Sequence, residues 1–404
     1  MVGVVHDLDR NPSDRADTPR MSLDYPPARA NATEVPAAYR DLRGSCPVAH
    51  VRFPSGDHGY LVSRYEDVRR ILGDPDFSRA ATVLPDAPKL TRLPFDPGGL
   101  FTLDGPEHTR LRALVAQEFN PRRTAALQPL LDEAADRLVD GLVAAGPGAD
   151  LIGHYAFPLP AFVICELLGV PFADRDTFQA WSDQVLSLTA PSPEARAALL
   201  AYLGGLVAAK RRSPGDDLLS ALALGGLDER ELLTMAVTLL LAGHETTAGV
   251  IGTSVLTLLL RPEGLRAVPD DGEALDALVE ELLRYNPVGD GGPLRVTLRD
   301  VEIAGTRIPR NSAVIASICS ADRDESVFPD PDRFDASRDG RPHLAFGQGP
   351  HYCLGASLAR AELRTALRVL GRRLPDLRPA VPVDELRMHS GLLVNRLVEL
   401  PVEW

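Results

Sequence analysis

The sequence is poor in features that would assign it to several large functional classes. It contains four cysteines, Cys46, Cys165, Cys319 and Cys353, and no two of them form a CxxC pair. Neither a zinc knuckle nor a disulfide framework is therefore expected, and a reducing, cytoplasmic setting follows. Basic charge is not in excess: the net charge is −13 over 404 residues, which excludes a general nucleic-acid surface. The longest uninterrupted apolar run, Met235 to Ala242, falls short of the roughly 20 residues that span a bilayer. Residues 1–20 include Asp7, Asp9, Arg10, Asp14, Arg15 and Asp17 and lack the apolar core of a signal peptide or membrane anchor. They are expected to form a flexible tail ahead of one large domain over 21–404. No GxGxxG run follows a strand pattern, so a resident nicotinamide or flavin is not expected. No internal repeat or low-complexity linker divides the chain.

What remains is an ordinary globular composition, 45% hydrophobic and 25% charged. Val48–Phe53 and Gly59–Val62 read as a hairpin around Pro54-Ser55-Gly56-Asp57. Glu66–Leu72 reads as a short helix. Residues 79–100, with four prolines and a Gly-Gly pair, form a long irregular stretch of the kind that is usually functional. Helical periodicity then dominates over about 107–119, 123–145, 157–169, 174–188, 193–211, 229–260 and 273–285. Short strands follow at 301–303, 307–308 and 313–316. Residues 321–345 are coil, and a last helix runs from Cys353 to about Arg372. The fold class is mainly α with a small β-sheet region, in one domain.

The chemistry concentrates in Phe346-Gly347-Gln348-Gly349-Pro350-His351-Tyr352-Cys353-Leu354-Gly355. A cysteine in a glycine-punctuated loop at the mouth of a helix is suited to remain a thiolate. The glycines let the main chain pass close to something flat and bulky. A buried structural cysteine is the competing reading. A second cluster, Ala242-Gly243-His244-Glu245-Thr246-Thr247, interrupts the long segment 229–260. A glycine followed by an acid and two hydroxyls is poor helix chemistry at its centre. Gly243 removes a side chain where a ligand could lie, and Thr246 could bond back to a carbonyl. His244-Glu245 begins an HExxH zinc-protease pattern, but Ala248 occupies the second histidine position and the motif fails. A simple helix kink is the bland alternative.

The loop around Cys353 resembles the haem-ligand signature of the cytochrome P450 family, Phe-Gly-x-Gly-x-His-x-Cys-x-Gly, at every fixed position. The resemblance implies the triangular P450 fold and a haem-thiolate monooxygenase that inserts one atom of O2 into a hydrophobic small molecule. Cys353 would be the axial metal ligand of haem b. Glu245 and Thr246 would be the acid–alcohol pair that manages protons. Phe346, Gly347, Leu354 and Gly355 would cover the sulfur, and Ala242 and Gly243 would line the oxygen-binding groove. His108 and Arg112, four apart, match the family's His-x-x-x-Arg. With Arg295 and His351 they would hold the haem propionates. Glu281-x-x-Arg284 with Arg333 matches a structural triad. His154 and His343 are left as structural.

Electrons would come from NAD(P)H through a separate ferredoxin or flavodoxin and its reductase. Arg110, Arg122, Arg123, Arg360 and Arg364 would form either a basic docking patch or solvated charge. The substrate walls would be the 79–100 loop (Val83, Leu84, Leu90, Leu93, Phe95), the apolar side of 162–188, Leu239 and the turn near Leu392–Val394. Gly289, Gly291 and Gly292 read as a flexible turn or as room for a bulky molecule. The sequence departs from the family at Pro309-Arg310-Asn311 and at Ser320-Ala321-Asp322-Arg323-Asp324, away from the iron chemistry. A haem-binding or carrier-recruiting protein without oxygen chemistry, and a peroxide-driven peroxygenase, are the alternatives. The retained cysteine and acid–alcohol pair count against the first, and the acid–alcohol pair Glu245-Thr246 counts against the second. The protein is expected to be a monomer.

Overall fold

A computed structural model describes residues 23–404 apart from 94, 339–341 and 390. The expected tail over 1–20 lies outside the described residues. The chain opens with β1 (Leu23–Asp24), α1 (Ala38–Ser45), β2 (Val48–Arg52), β3 (His58–Val62), α2 (Tyr65–Gly73) and β4 (Phe77–Ser78). The helical body follows as α3 (Gly105–Ala116), α4 (Pro121–Ala126), α5 (Gln128–Ala145), the short β5 (Ala149–Asp150), α6 (Pro158–Leu168), α7 (Arg175–Val185), α8 (Pro193–Arg212), α9 (Leu218–Leu224), α10 (Glu229–Leu259) and α11 (Gly272–Tyr285). The final third holds β6 (Leu294–Thr297), β7 (Val301–Ile303), β8 (Thr306–Ile308), β9 (Ala313–Ala316), α12 (Ile318–Ala321), α13 (Ala356–Arg373), β10 (Arg378–Pro379) and β11 (Pro401–Glu403).

Six strands form one sheet in the order β1-β2-β3-β9-β6-β4. The expected hairpin is its antiparallel pair β2/β3, with His50 opposite Tyr60. β3 pairs in parallel with β9, which joins the two ends of the chain. Smaller sheets are β10-β11-β5 and β7-β8. The expected helix over 123–145 is divided at Leu127, because Pro129 near the start of α5 lacks the N–H that would continue α4. Helix α9 and strand β6 were not anticipated. Both are short, and their residues are mostly buried whichever way they face, so they show little periodicity.

Helix α10 organises the interior. A capping box starts it: Asp228 Oδ1 accepts the Glu231 N–H at 2.8 Å, and Glu231 reaches back to the Asp228 N–H. Its first half (Leu232 to Leu241) packs with α3, α6, α8 and α9, and its second half (Val250 to Leu258) with α5, α11 and α13. By length and hydropathy it could cross a membrane, yet 72% of its apolar window is buried in the protein, as a core helix requires. The small and polar residues 242–247 fall between the two cores.

The expected Glu281–Arg284 pair is present, with a different third partner. Arg284 makes a fork with Glu281 at 2.7 and 2.8 Å and donates to the carbonyls of Asp322 and Pro331. Arg338, not Arg333, donates to Glu281 Oε1 at 3.1 Å. Arg333 lies at the surface against Asp335. The chain bends after Phe334, so the Asp335 N–H and then Arg338 reach the buried carboxylate. Breaking a buried ion pair leaves an uncompensated charge, so Glu281→Ala should destabilise the protein by about 3–5 kcal/mol. Arg333→Ala should stay within about 0.5 kcal/mol. Denaturant midpoints on the two variants check the difference.

Candidate active site

The loop before α13 is tied down by its own main chain. The Leu344 N–H donates to buried Asp322, the Gly347 N–H to the Leu344 carbonyl at 2.7 Å, and the Cys353 N–H to the Phe346 carbonyl at 2.9 Å. Gly347 and Gly349 have φ of +71° and +74°. A Cβ on Gly349 would also stand 2.9 Å from the Leu72 carbonyl, so glycine is required there twice over. Cys353 does not open the helix as expected. α13 begins at Ala356, after a single 3-10 turn at Gly349–His351. Burial raises the Cys353 thiol pKa above its ordinary value; the Gly355 N–H, which points at the sulfur, and then Arg112 and Arg360 lessen that rise without reversing it. The residue is nonetheless accessible, because it opens into a cavity.

That cavity has a volume of about 1170 Å³ and a mostly apolar lining. Around Cys353 it is lined by Phe346, Gly347, His351, Leu354 and Gly355; from α3 by His108 and Arg112; from β6 by Arg295; and from α10 by Ala242, Gly243 and Thr246. Of the expected site residues only Glu245 does not line it. The expected apolar walls are there in Val83, Leu90, Leu93, Phe95, Leu239, Leu392 and Leu393, whereas Leu84 points out to solvent. Residues 25–32 add a wall that the sequence did not suggest.

Two glycine expectations change. A Cβ on Gly243 would stand 2.5 Å from Ile164, so that glycine also admits α6. A Cβ on Gly291 or Gly292 would overlap Tyr25 Oη or the Ala316 carbonyl at under 2 Å, and one on Gly289 would meet the Leu393 carbonyl at 2.6 Å. This segment is neither a flexible turn nor spare room. It is packed against the sheet and the C-terminal turn.

One rim of the cavity gathers cations. Arg295 is 2% exposed, and among the described residues its guanidinium has one hydrogen bond, to the Leu294 carbonyl at 3.1 Å. Burial, with neighbouring Arg79, depresses its pKa well below the usual arginine value. Arg79 donates to the Phe101 carbonyl, and burial lowers its pKa to about 10. The His108 and His351 rings lie 4.2 Å apart. Burial, then the nearby His351 and Arg112, takes the His108 pKa down to about 4, so the ring is neutral at pH 7. His351 Nε2 meets Asp104 Oδ1 at 3.1 Å. Burial would raise the Asp104 pKa, but hydrogen bonds from His351, the Ser78 hydroxyl and the Ala80 N–H hold it well below the carboxylate range. Sequence reasoning missed Arg79 and Asp104; the available signal was Asp104 at the N-cap of the helix that carries His108. Arg112 donates to the Tyr352 carbonyl at 2.6 Å, beside the cysteine.

On α10 the acid and the alcohol point different ways. The Thr246 hydroxyl donates to the Ala242 carbonyl at 2.9 Å, as expected, and the helix continues without a break. Glu245 is buried behind it. It meets His244 Nε2 at 3.1 Å and accepts from Arg396 Nη1 at 2.9 Å; Arg396 also reaches Asp183 of α7 at 2.9 Å. Burial would raise the Glu245 pKa, yet His244, Arg396 and His389 together hold it below its ordinary value. A charged Arg396 beside the apolar run 392–394 was the sequence signal for this pair. The next hydroxyl along, Thr247, faces Glu362 of α13. Glu362 is 1% exposed and lines the cavity; its Oε1 has no partner among the described residues, and burial lifts its pKa to about 8. It shares one apolar helix face with Leu358 and Ala366, four residues to either side.

These features fit a haem. Among the described residues no group of three His, Cys, Asp or Glu converges on a bare metal ion, so a metal at Cys353 would bring its own ligand frame. A soft sulfur donor suits iron. Buried guanidinium groups whose protein partners are carbonyls call for an anion such as a carboxylate. The volume exceeds the roughly 1,000 Å³ upper range of ordinary small-molecule pockets, which leaves space for a second molecule. The expected docking arginines, by contrast, are largely neutralised: Arg110 pairs with Glu231, Arg123 with Glu118, Arg360 with Glu280 and Arg364 with Asp276.

Known proteins share this sequence pattern and this fold. The cytochrome P450 family profile matches residues 272–373. The chain is 44% identical to nocardicin C N-oxygenase of Nocardia uniformis subsp. tsuyamanensis over 94% of its length and 98% of that protein. It is also 44% identical to the mycinamicin IV hydroxylase/epoxidase of Micromonospora griseorubida, again over 94% and 98%. Among solved structures, the LnmA cytochrome P450 hydroxylase of the leinamycin pathway of Streptomyces atroolivaceus superposes with a TM-score of 0.84 at 43% identity, covering 95% of this chain and all of that one. A mycinamicin VIII methyl hydroxylase of Micromonospora griseorubida, bound to mycinamicin VIII, gives a TM-score of 0.89 at 36% identity, covering 95% and 100%.

Glu362 gives a pH signature with a definite sign. Its folded pKa of about 8 lies above the ordinary glutamate value of 4.5, so the folded state binds more protons than the unfolded chain between those values. Stability should therefore fall as pH rises through that window and level off above it. Glu362→Gln should remove this slope and stabilise the protein by about 1–3 kcal/mol at pH 8. Denaturation midpoints taken across the window check it.

Proposed function

From its membership of the cytochrome P450 family, to which this chain belongs, we propose that it is a monooxygenase that tailors a bulky hydrophobic secondary metabolite, with haem b held by Cys353. The observation that carries the residue assignments is the convergence of the Cys353 sulfur and the carboxylate-seeking cations on one large apolar cavity. Arg295, Arg112, His108 and His351 hold the haem propionates, and Arg79 joins them. Asp104 orients His351. Phe346, Gly347, Leu354 and Gly355 limit water at the sulfur, and Gly355 donates its N–H to it. When bound, the haem supplies O2 activation: two electrons and two protons send one oxygen atom to the substrate and the other to water.

The chain's own residues move the protons and set the pose. The Thr246 hydroxyl holds water at the cavity face of α10. Glu245 stands one residue behind it, ionised and paired with Arg396, and passes protons toward Thr246 when that pair rearranges. Ala242 and Gly243 leave the helix face bare. The apolar walls accept a hydrophobic skeleton, in keeping with the mycinamicin substrates named for two of the relatives, and a C–H hydroxylation or an epoxidation fits the site. Electrons come from NAD(P)H by way of a ferredoxin or flavodoxin with its reductase. A cytoplasmic monomer suits the cysteine usage and the self-contained site.

Reduced holoprotein under carbon monoxide should show the long-wavelength absorption of a haem thiolate, and Cys353→Ala should abolish it. Turnover with NADPH, ferredoxin and reductase should exceed turnover driven by peroxide; the reverse result would favour a peroxygenase. Thr246→Ala should lower product formation about 10²-fold while NADPH oxidation continues. Comparing product with NADPH consumed measures that uncoupling.

A further inference from the structure

The Cys353 loop has a second layer behind it, centred on Glu280, which has no part in the site described above. Glu280, at the end of α11 that carries the Glu281–Arg284 pair, points the other way. It accepts a fork from Arg360 of α13 at 2.6 and 2.8 Å. Its Oε2 also meets His343 Nε2 at 3.1 Å. Both of these partners pack on Phe346: the Arg360 guanidinium lies 4.4 Å from the ring centroid, and the His343 ring lies 6.1 Å from it. His343 Nδ1 accepts the Ala345 N–H at 3.1 Å, and Arg360 reaches the Tyr352 hydroxyl at 3.4 Å. The cage closes on the cysteine, because the Phe346 carbonyl is the acceptor for the Cys353 N–H. One carboxylate therefore grips the loop both before and after the phenylalanine that covers the sulfur.

We propose that Glu280 is a positioning residue that sets the donor strength of Cys353, holding Arg360 and His343 against Phe346 and cancelling the Arg360 charge beside the sulfur. The inference rests on Cys353 being the haem ligand. An uncompensated cation near the thiolate stabilises its negative charge, weakens its donation and makes the iron easier to reduce. A carboxylate bound to that cation removes most of this field. Arg360 has the expected placement, stacked on the ring that covers the sulfur. The Glu280 pKa is held below its ordinary value: burial would raise it, but the Arg360 and His343 hydrogen bonds outweigh that. Glu280 is thus ionised wherever the protein works.

The test is a charge cycle on the holoprotein, read by reduction potential and by the carbon monoxide spectrum. Glu280→Gln should raise the potential, Arg360→Gln should lower it, and the double variant should return close to the wild type. A tenfold change in the one-electron equilibrium, about 59 mV, is the expected scale for each single variant. Loss of packing alone would move all three variants in one direction, and that result overturns the proposal, as do potentials that all stay within about twofold in equilibrium constant of the wild type. Should Glu280→Gln fail to hold haem, Glu280→Asp keeps the charge and should match the wild type while Arg360→Gln still lowers the potential; an unmoved Arg360→Gln overturns the proposal. Wild-type holoprotein without the thiolate spectrum would instead remove the premise, and the inference with it.

Discussion

The Cys353 N–H donates to the Phe346 carbonyl, and the sulfur that follows faces a cavity instead of the core. That single bond turns the loop back on itself, and it works only because each flanking segment is anchored. Upstream, buried Asp322 takes the Leu344 N–H. Downstream, α13 is packed along its length between α5, α10 and α11. The glycines at 347 and 349 supply the left-handed backbone this path needs. A cysteine so placed is fixed in main-chain position while its side chain remains open. Those are the two conditions for a ligand that must neither wander nor be buried out of reach.

The electrostatics divide into charges that are satisfied within the protein and charges that are not. Glu281, Arg284 and Arg338 close on one another, and Glu245 closes on Arg396 and His244. Among the described residues the Arg295 guanidinium has only a neighbouring carbonyl and Glu362 Oε1 has no partner, and both residues line the cavity. Burying such groups is costly unless a ligand or water completes them. The incomplete groups therefore mark the working volume more sharply than its apolar lining does. The Arg396 link also ties α7, the middle of α10 and the C-terminal turn to one carboxylate, so the acid of the site and part of the substrate wall share a partner.

Much of this was legible in the sequence, and for identifiable reasons. The Cys353 loop, the 242–247 cluster of small and polar residues within α10 and the β2/β3 hairpin rest on local chemistry: glycine conformations, side-chain type and turn residues. The Glu281–Arg284 fork is local too, three residues apart on one helix. What failed were matters of distance. Arg333 was the nearer candidate for Glu281, yet the bend after Phe334 brings Arg338 instead. Gly291 and Gly292 looked like slack, and only the approach of Tyr25 and Ala316, far off in sequence, shows them to be tight packing. The five arginines of the expected basic patch could not be discounted without seeing that acids from other helices reach four of them.

The sequence by itself determined which residues are candidates for the chemistry, because a cysteine, its glycines and an acid–alcohol pair are specified by side-chain type at short spacing. The tertiary structure alone decided how those residues are charged and oriented. Whether Glu245 faces the cavity or an arginine, whether Glu362 keeps its proton, and which cation is left without a counter-charge all depend on burial and on partners drawn from distant segments. Such interactions act through space, and a linear order of residues does not record them.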